Sequence, residues 1–120
     1  MPWWWPFAKE LSKEDKRKLL LDAKTYLEEI ERIQKNNRYS YRDGWRIIIK
    51  IRKIIANIQK ILDQTKTPGM EGTLAGGMTL CYSILDFGPL ADDKIKKYKD
   101  DDLKKLRRYI EQAIEINDST

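Results

Sequence analysis

Apolar residues recur at helical intervals from Ser12 onward. Leu19, Ala23, Tyr26, Ile30 and Ile33 follow a 4, 3, 4, 3 spacing and Leu20 and Leu27 widen the stripe, so one side of a helix is apolar over four turns. Ser12-Lys13-Glu14-Asp15 precedes the stripe as a capping box, with Asp in place of the usual Glu or Gln. The pattern predicts a helix over 12–35, closed by the polar pair Asn36-Asn37. A second Ser-x-x-Asp, Ser40-Tyr41-Arg42-Asp43, opens a helix predicted over 41–64. Ile48, Ile51, Ile55, Ile58 and Leu62 form one seam along it, and Ile47, Ile54 and Ile61 lie beside that seam at seven-residue intervals. β-Branched residues lower helix propensity by a few tenths of a kcal/mol each (about 0.4), whereas burying an Ile contributes about 1.5–3 kcal/mol. Packing therefore outweighs propensity, and the second helix is expected to be central.

Thr67-Pro68-Gly69-Met70 places Pro and Gly where a type II turn prefers them. The next segment carries two periods at once. Met78, Leu80, Tyr82 and Ile84 alternate with Thr79, Cys81 and Ser83 as in a strand, while Leu74, Met78, Cys81, Tyr82 and Leu85 fit a helical face. No other segment offers a partner strand, and an unpaired strand would leave its backbone groups unsatisfied unless it paired across a dimer. A helix over 73–87 is the better expectation, stopped by Gly88-Pro89. A short Lys-rich turn then leads to a helix over 102–117, entered at Asp100-Asp101-Asp102, whose charges suit a helix N-terminus. Leu103, Leu106, Ile110 and Ala113 make its buried seam, and the last four residues are expected to fray. These elements predict an all-α, single-domain antiparallel bundle of about four helices over 1–120, with residues 1–11 as an aromatic N-terminal arm.

Composition fits this expectation. The chain has 120 residues, 41% hydrophobic and 36% charged, against a charged share of about 25% in typical globular domains. Hydrophobes are too many for a disordered tail. At this length folding buries roughly two-thirds of the exposed surface, enough for one core without staples and not for a second domain.

Absent residues narrow the chemistry. There is no His, which excludes Ser-His-Asp and Cys-His nucleophile pairs and His-ligated zinc or haem. The lone Cys81 sits among apolar residues with no nearby base to lower its pKa, so it reads as a buried structural thiol. Glu28, Glu29 and Glu31 lack the Glu-x-x-His partners of a carboxylate-bridged metal site. Asp100 to Asp102 read as a cap and not as calcium ligands, and Asp86 as a hydrogen-bond acceptor at a helix end. Gly72 to Thr79 nearly spell a phosphate loop, but Met78 stands where the lysine is required and no strand precedes it. Gly72, Ala75 and Gly76 read instead as small residues for close helix approach, or Gly76-Gly77 as a hinge. No catalytic residue, cofactor or metal is expected. The start of the chain lacks the basic and apolar regions of a secretory signal. The longest uncharged run, Gly72 to Leu85, has 14 residues, short of the ~20 that span a bilayer. The expectation is a soluble, cytoplasmic protein.

Net charge is +5, with 24 Lys and Arg against 19 Asp and Glu, and it is unevenly placed. Residues 41–66 carry +5 and residues 67–93 carry −4, and no acidic residue lies between Gly44 and Leu62. Arg42, Arg46, Lys50, Lys53 and Lys60 form a row at helical spacing that Asn57 completes, with Arg38, Tyr39, Tyr41 and Trp45 beside its start. One reading is an anion site at Arg38, Tyr39, Arg42, Arg46, Lys50 and Lys53, taking nucleic acid or a small phosphorylated ligand. The other is a solvated helix face, with Tyr41 and Trp45 in the core. No helix-turn-helix, zinc-finger, RNA-binding strand or KH signature accompanies the row.

Trp3, Trp4, Trp5 and Phe7, set between Pro2 and Pro6 and just beyond, are the most unusual feature. They either fold over an open end of the bundle or bind a partner, since Trp is enriched in binding hot spots. Membrane contact through Trp3 to Trp5 is a weaker reading, because no basic amphipathic helix adjoins them. The sequence thus points to a small non-enzymatic protein that binds or inhibits a protein partner through the aromatic arm and the basic helix face. The alternative is a binding protein for nucleic acid or a nucleotide-like ligand on the second helix. The broad Ile face would be filled within one chain or by a second copy, so a homo-oligomer is a further expectation.

Overall fold

Both Ser-x-x-Asp sequences cap helices in the computed structural model of the protein, which describes residues 11–36, 39–64, 69–89 and 93–120. The Ser12 hydroxyl accepts the Asp15 N–H at 3.0 Å and the Asp15 carboxylate accepts the Ser12 N–H at 3.2 Å. Helix α1 follows over Lys13–Gln34. Ser40 and Asp43 make the same reciprocal bonds at the start of α2, Tyr41–Leu62. Four orphan backbone donors open each helix, and the box satisfies two of them while fixing the direction of entry.

Helix α3 spans Met70–Asp86 and helix α4 spans Asp93–Ser119. Gly69 precedes α3 at φ +86° and Gly88 follows it at φ +61°, both in the region that favours glycine. Gly88 closes α3 as expected, its N–H donating to the Leu85 carbonyl at 2.9 Å. The strand alternative for residues 78–85 is overturned, since the whole segment is helical. Helix α3 also starts at Met70 and not at 73, because Met70 is itself buried in the core.

Helix α4 departs furthest from its sequence pattern. Its first two turns, read from the sequence as a Lys-rich turn, are helical, so the expected start at 102 is nine residues late. Lys99 is the reason: it occupies the buried row continued by Leu103, Leu106, Ile110 and Ala113, so the apolar pattern lapses where the helix does not. Asp100 and Asp102 consequently lie inside the helix and find donors across seams. Gln34 Nε2 donates to Asp100 at 3.1 Å and Ser83 Oγ to Asp102 at 2.8 Å.

Each helix runs antiparallel to its neighbours, with α1 packed on α2 and α4, and α3 packed on α2 and α4. Cross-helix bonds mark the directions. Near the start of α1, Asn117 Nδ2 donates to the Lys13 carbonyl, while near its end Arg107 meets Glu31 at 2.6 Å. On the other side Asn57 donates to the Leu19 carbonyl and Lys50 meets Glu29. This is the expected four-helix bundle. Its core is filled by Leu20, Leu27 and Ile30 of α1, by Ile47, Ile51, Ile54, Ile58 and Ile61 of α2, and by facing residues of α3 and α4. The sevenfold row Ile47, Ile54 and Ile61 is buried together with Ile51 and Ile58 of the adjoining seam, whereas Ile55 and Leu62 are partly buried at its edge. Leu11 enters the bundle through a bond from its N–H to Gln64 Oε1. Trp3, Trp4, Trp5 and Phe7 lie outside the described residues, as does Arg38. Among the described residues no helix is long and apolar enough to cross a membrane.

Candidate binding surface on the second helix

Burial of the Ile47, Ile51, Ile54, Ile58 row sets the rotation of α2, and whatever stands half a turn away must face outward. Tyr41, Trp45 and Ile49 stand there, at i, i+4 and i+8. They are 63%, 49% and 53% exposed, so the reading that placed Tyr41 and Trp45 in the core is overturned. Three large apolar residues in one line on an outer helix face form a continuous ridge, unlike a single exposed Leu, which is ordinary. Helical register puts the exposed Arg42 on the side of this ridge that leads toward α1, and the exposed Arg52 on the side that leads toward α3. Neither forms an ion pair among the described residues. Tyr82, 54% exposed on α3, adds a further exposed aromatic ring to the molecule's surface.

The basic row read from the sequence does not act as one unit. Lys50 Nζ donates to Glu29 Oε2 at 2.6 Å, and that bond holds the Glu29 carboxyl below its ordinary range, against a smaller opposing effect of burial. Lys53 Nζ lies 5.5 Å from the centre of the Tyr26 ring, and Asn57 Nδ2 bonds the Leu19 carbonyl at 3.1 Å. These three side chains tie α2 to α1. Arg46 faces more nearly outward, with Nη1 3.5 Å from Asp43 Oδ1 and over half of its side chain exposed. Tyr39 packs against the core, and its hydroxyl has no hydrogen-bond partner among the described residues. Burial, with Asp43 nearby, pushes its phenol above 10.

Near the end of α1 and the start of α2, Glu29, Arg32 and Ile33 of α1 and Arg46 and Lys50 of α2 line a depression of about 370 Å³. Arg32 is a site residue that reading α2 alone missed. A second cavity of about 430 Å³ lies between α1 and α4, lined by Glu31, Gln34, Lys35, Lys96, Asp100 and Lys104. Its two carboxylates are engaged, Glu31 by Arg107 and Asp100 by Gln34.

The remaining sequence candidates resolve as structure. Cys81 is buried, and burial pushes its thiol up to about 12, far from the thiolate a nucleophile needs. The glycine-rich segment is the interior of α3, which removes both the hinge and the phosphate loop. Gly76 is the close approach: a Cβ there would lie 2.9 Å from Tyr109 Cζ, whereas one at Gly72 meets nothing within 4 Å. Asp86 is exposed at the end of α3. No group of three potential metal ligands occurs among the described residues. No known protein family, curated protein or solved structure matches the chain.

Proposed function

We propose that this is a small non-enzymatic binding protein that docks an acidic protein partner on the outer face of α2, with Trp3, Trp4, Trp5 and Phe7 extending the hold. The ridge of Tyr41, Trp45 and Ile49 carries the reading. Aromatic and Arg side chains dominate binding hot spots, where a large apolar anchor is desolvated and a polar rim excludes water. Here two aromatic rings and an Ile are set in the middle and arginines at the margins. Charge selects the partner. A second copy meeting this face about a twofold axis would bring Arg42 and Arg52 of both copies into one interface, with no acidic residue from Gly44 to Leu62 to relieve their charge. A partner surface bearing Asp and Glu around an apolar strip removes that repulsion and speeds encounter.

The test uses a labelled synthetic helix with Leu at i, i+3 and i+7 and Glu elsewhere, followed by fluorescence anisotropy against the full chain. Binding is expected, with Trp45→Ala weakening it at least about tenfold, equivalent to ~1.4 kcal/mol, and with a Lys-substituted analogue of the peptide failing to bind. Because Trp45 is half exposed, the variant keeps its fold. Absence of binding, or equal binding by Trp45→Ala and Ile49→Ala, would overturn the reading.

A further inference from the structure

We propose that the depression between α1 and α2 is a phosphoryl-group site, with Arg32 and Arg46 as guanidinium donors and Lys50 as the third cation. It is separate from the ridge, being set on the α1 side of α2 and including a residue of α1.

Three cations and one carboxylate line it. The carboxylate, Glu29, is committed to Lys50 at 2.6 Å and stays ionised, drawn down first by that hydrogen bond and further by the charges of Lys50, Arg32 and Lys53. Its effect is to hold the ammonium at the wall of the depression. An ammonium has three donors and Glu29 accepts one of them, so Lys50 keeps donors for a ligand. Arg32 and Arg46 approach from different helices, so their backbones are fixed by the bundle while both guanidiniums are exposed. Arg46 is only loosely held, at 3.5 Å from a carboxylate whose other oxygen caps α2.

The charge of the lining, +2, favours a dianion over a carboxylate. A phosphomonoester carries about −1.5 to −2 at neutral pH and presents three acceptor oxygens, and paired guanidiniums bind such oxygens in bidentate fashion. A track along a nucleic-acid backbone is a poorer match, because Lys53 lies against Tyr26 and Asn57 is bonded to α1, so the row that would follow successive phosphates is interrupted. The structure thereby narrows the basic row to a pocket for one phosphoryl group.

The experiment is an NMR titration of the ¹⁵N-labelled full chain with inorganic phosphate at constant ionic strength, following the arginine Nε–Hε signals. Saturable shifts are expected at Arg32 and Arg46 and not at the exposed Arg52 and Arg108. Arg32→Gln and Arg46→Gln, both at exposed positions, should each weaken binding about tenfold or more, and Glu29→Gln should tighten it severalfold by removing the one negative charge. Parallel titrations with O-phosphoserine and adenosine monophosphate assign the source: preference for either names it, and equal affinity shows that recognition stops at the phosphoryl group. Shifts spread equally over all arginines, or affinity unchanged in Arg32→Gln, would overturn the proposal. Trp45→Ala should leave phosphate binding intact, and Arg32→Gln should leave the acidic peptide bound, so the two readings fail separately.

Discussion

Lys99 stands in the buried row of α4, and its ammonium donates to the Gly88 carbonyl at 2.9 Å, just past the end of α3. Carbonyls at a helix C-terminus lack intrahelical donors and carry partial negative charge, so a lysine there satisfies an acceptor and meets a favourable field. Burial nevertheless lowers its pKa from 10.5. The folded chain therefore releases this proton at lower pH than the unfolded chain does. Between the depressed value and 10.5 unfolding takes up a proton, and stability rises with pH across that window. Lys99→Met abolishes the effect. Urea denaturation at a series of pH values should show the stability of the wild type, relative to the variant, climbing through the window and levelling above 10.5. A difference that stays flat would mean that folding does not move the proton at all.

Two glycines separate helix propensity from space. Gly72→Ala, on the open side of α3, should stabilise the protein by up to about 1 kcal/mol, the usual helix-interior gain. Gly44→Ala in the first turns of α2 has the same intrinsic gain, but its Cβ would sit 2.7 Å from Pro89 Cα. Backbone cannot swing aside, so a net loss of about 1–3 kcal/mol is expected in chemical denaturation. This contact also shows what one-dimensional reading leaves out. The caps, α1, α2 and the C-terminal half of α4 were legible because each joins a local signal to an apolar period. Tyr82 was assigned to the buried face of α3 because periodicity counts side chains and passes over Gly77, where Leu106 and Ile58 fill the space instead. The start of α4 was hidden by one lysine in an apolar row. In the candidate site, Arg42 and Arg46 were visible as a basic row with Tyr41 and Trp45 beside its start, but the line that these two rings make with Ile49 was not, because in an Ile-rich helix only the rotation fixed by packing tells an outer Ile from a buried one. Arg32 was not, since a depression between two helices exists only once their relative rotation is fixed.

At the scale of the molecule, the four seams are held differently. Among the described residues no side-chain hydrogen bond joins α2 to α3, so that seam closes by apolar contact alone. Cys81 lies in the core that this seam helps to close, fully buried, with its thiol pushed up to about 12. Labelling with a disulfide reagent at pH 8 should accordingly be negligible in the native chain, and its dependence on urea should match that of global unfolding. Rapid labelling without denaturant would reveal a separate opening of α3. The seam between α1 and α4 is the opposite case. These helices are the farthest apart in sequence of any that touch, yet Asn117 with Lys13, Lys24 with Glu111, Arg107 with Glu31 and Asp100 with Gln34 join them along their length. The first and last turns of the bundle are thus side by side, and the polar contacts between them are arranged in series. Tension applied across residues 13 and 117 would meet these contacts one after another, as on a zip, and the bundle would yield at low force to pulling at its two ends while resisting the same load drawn along a single helix pair.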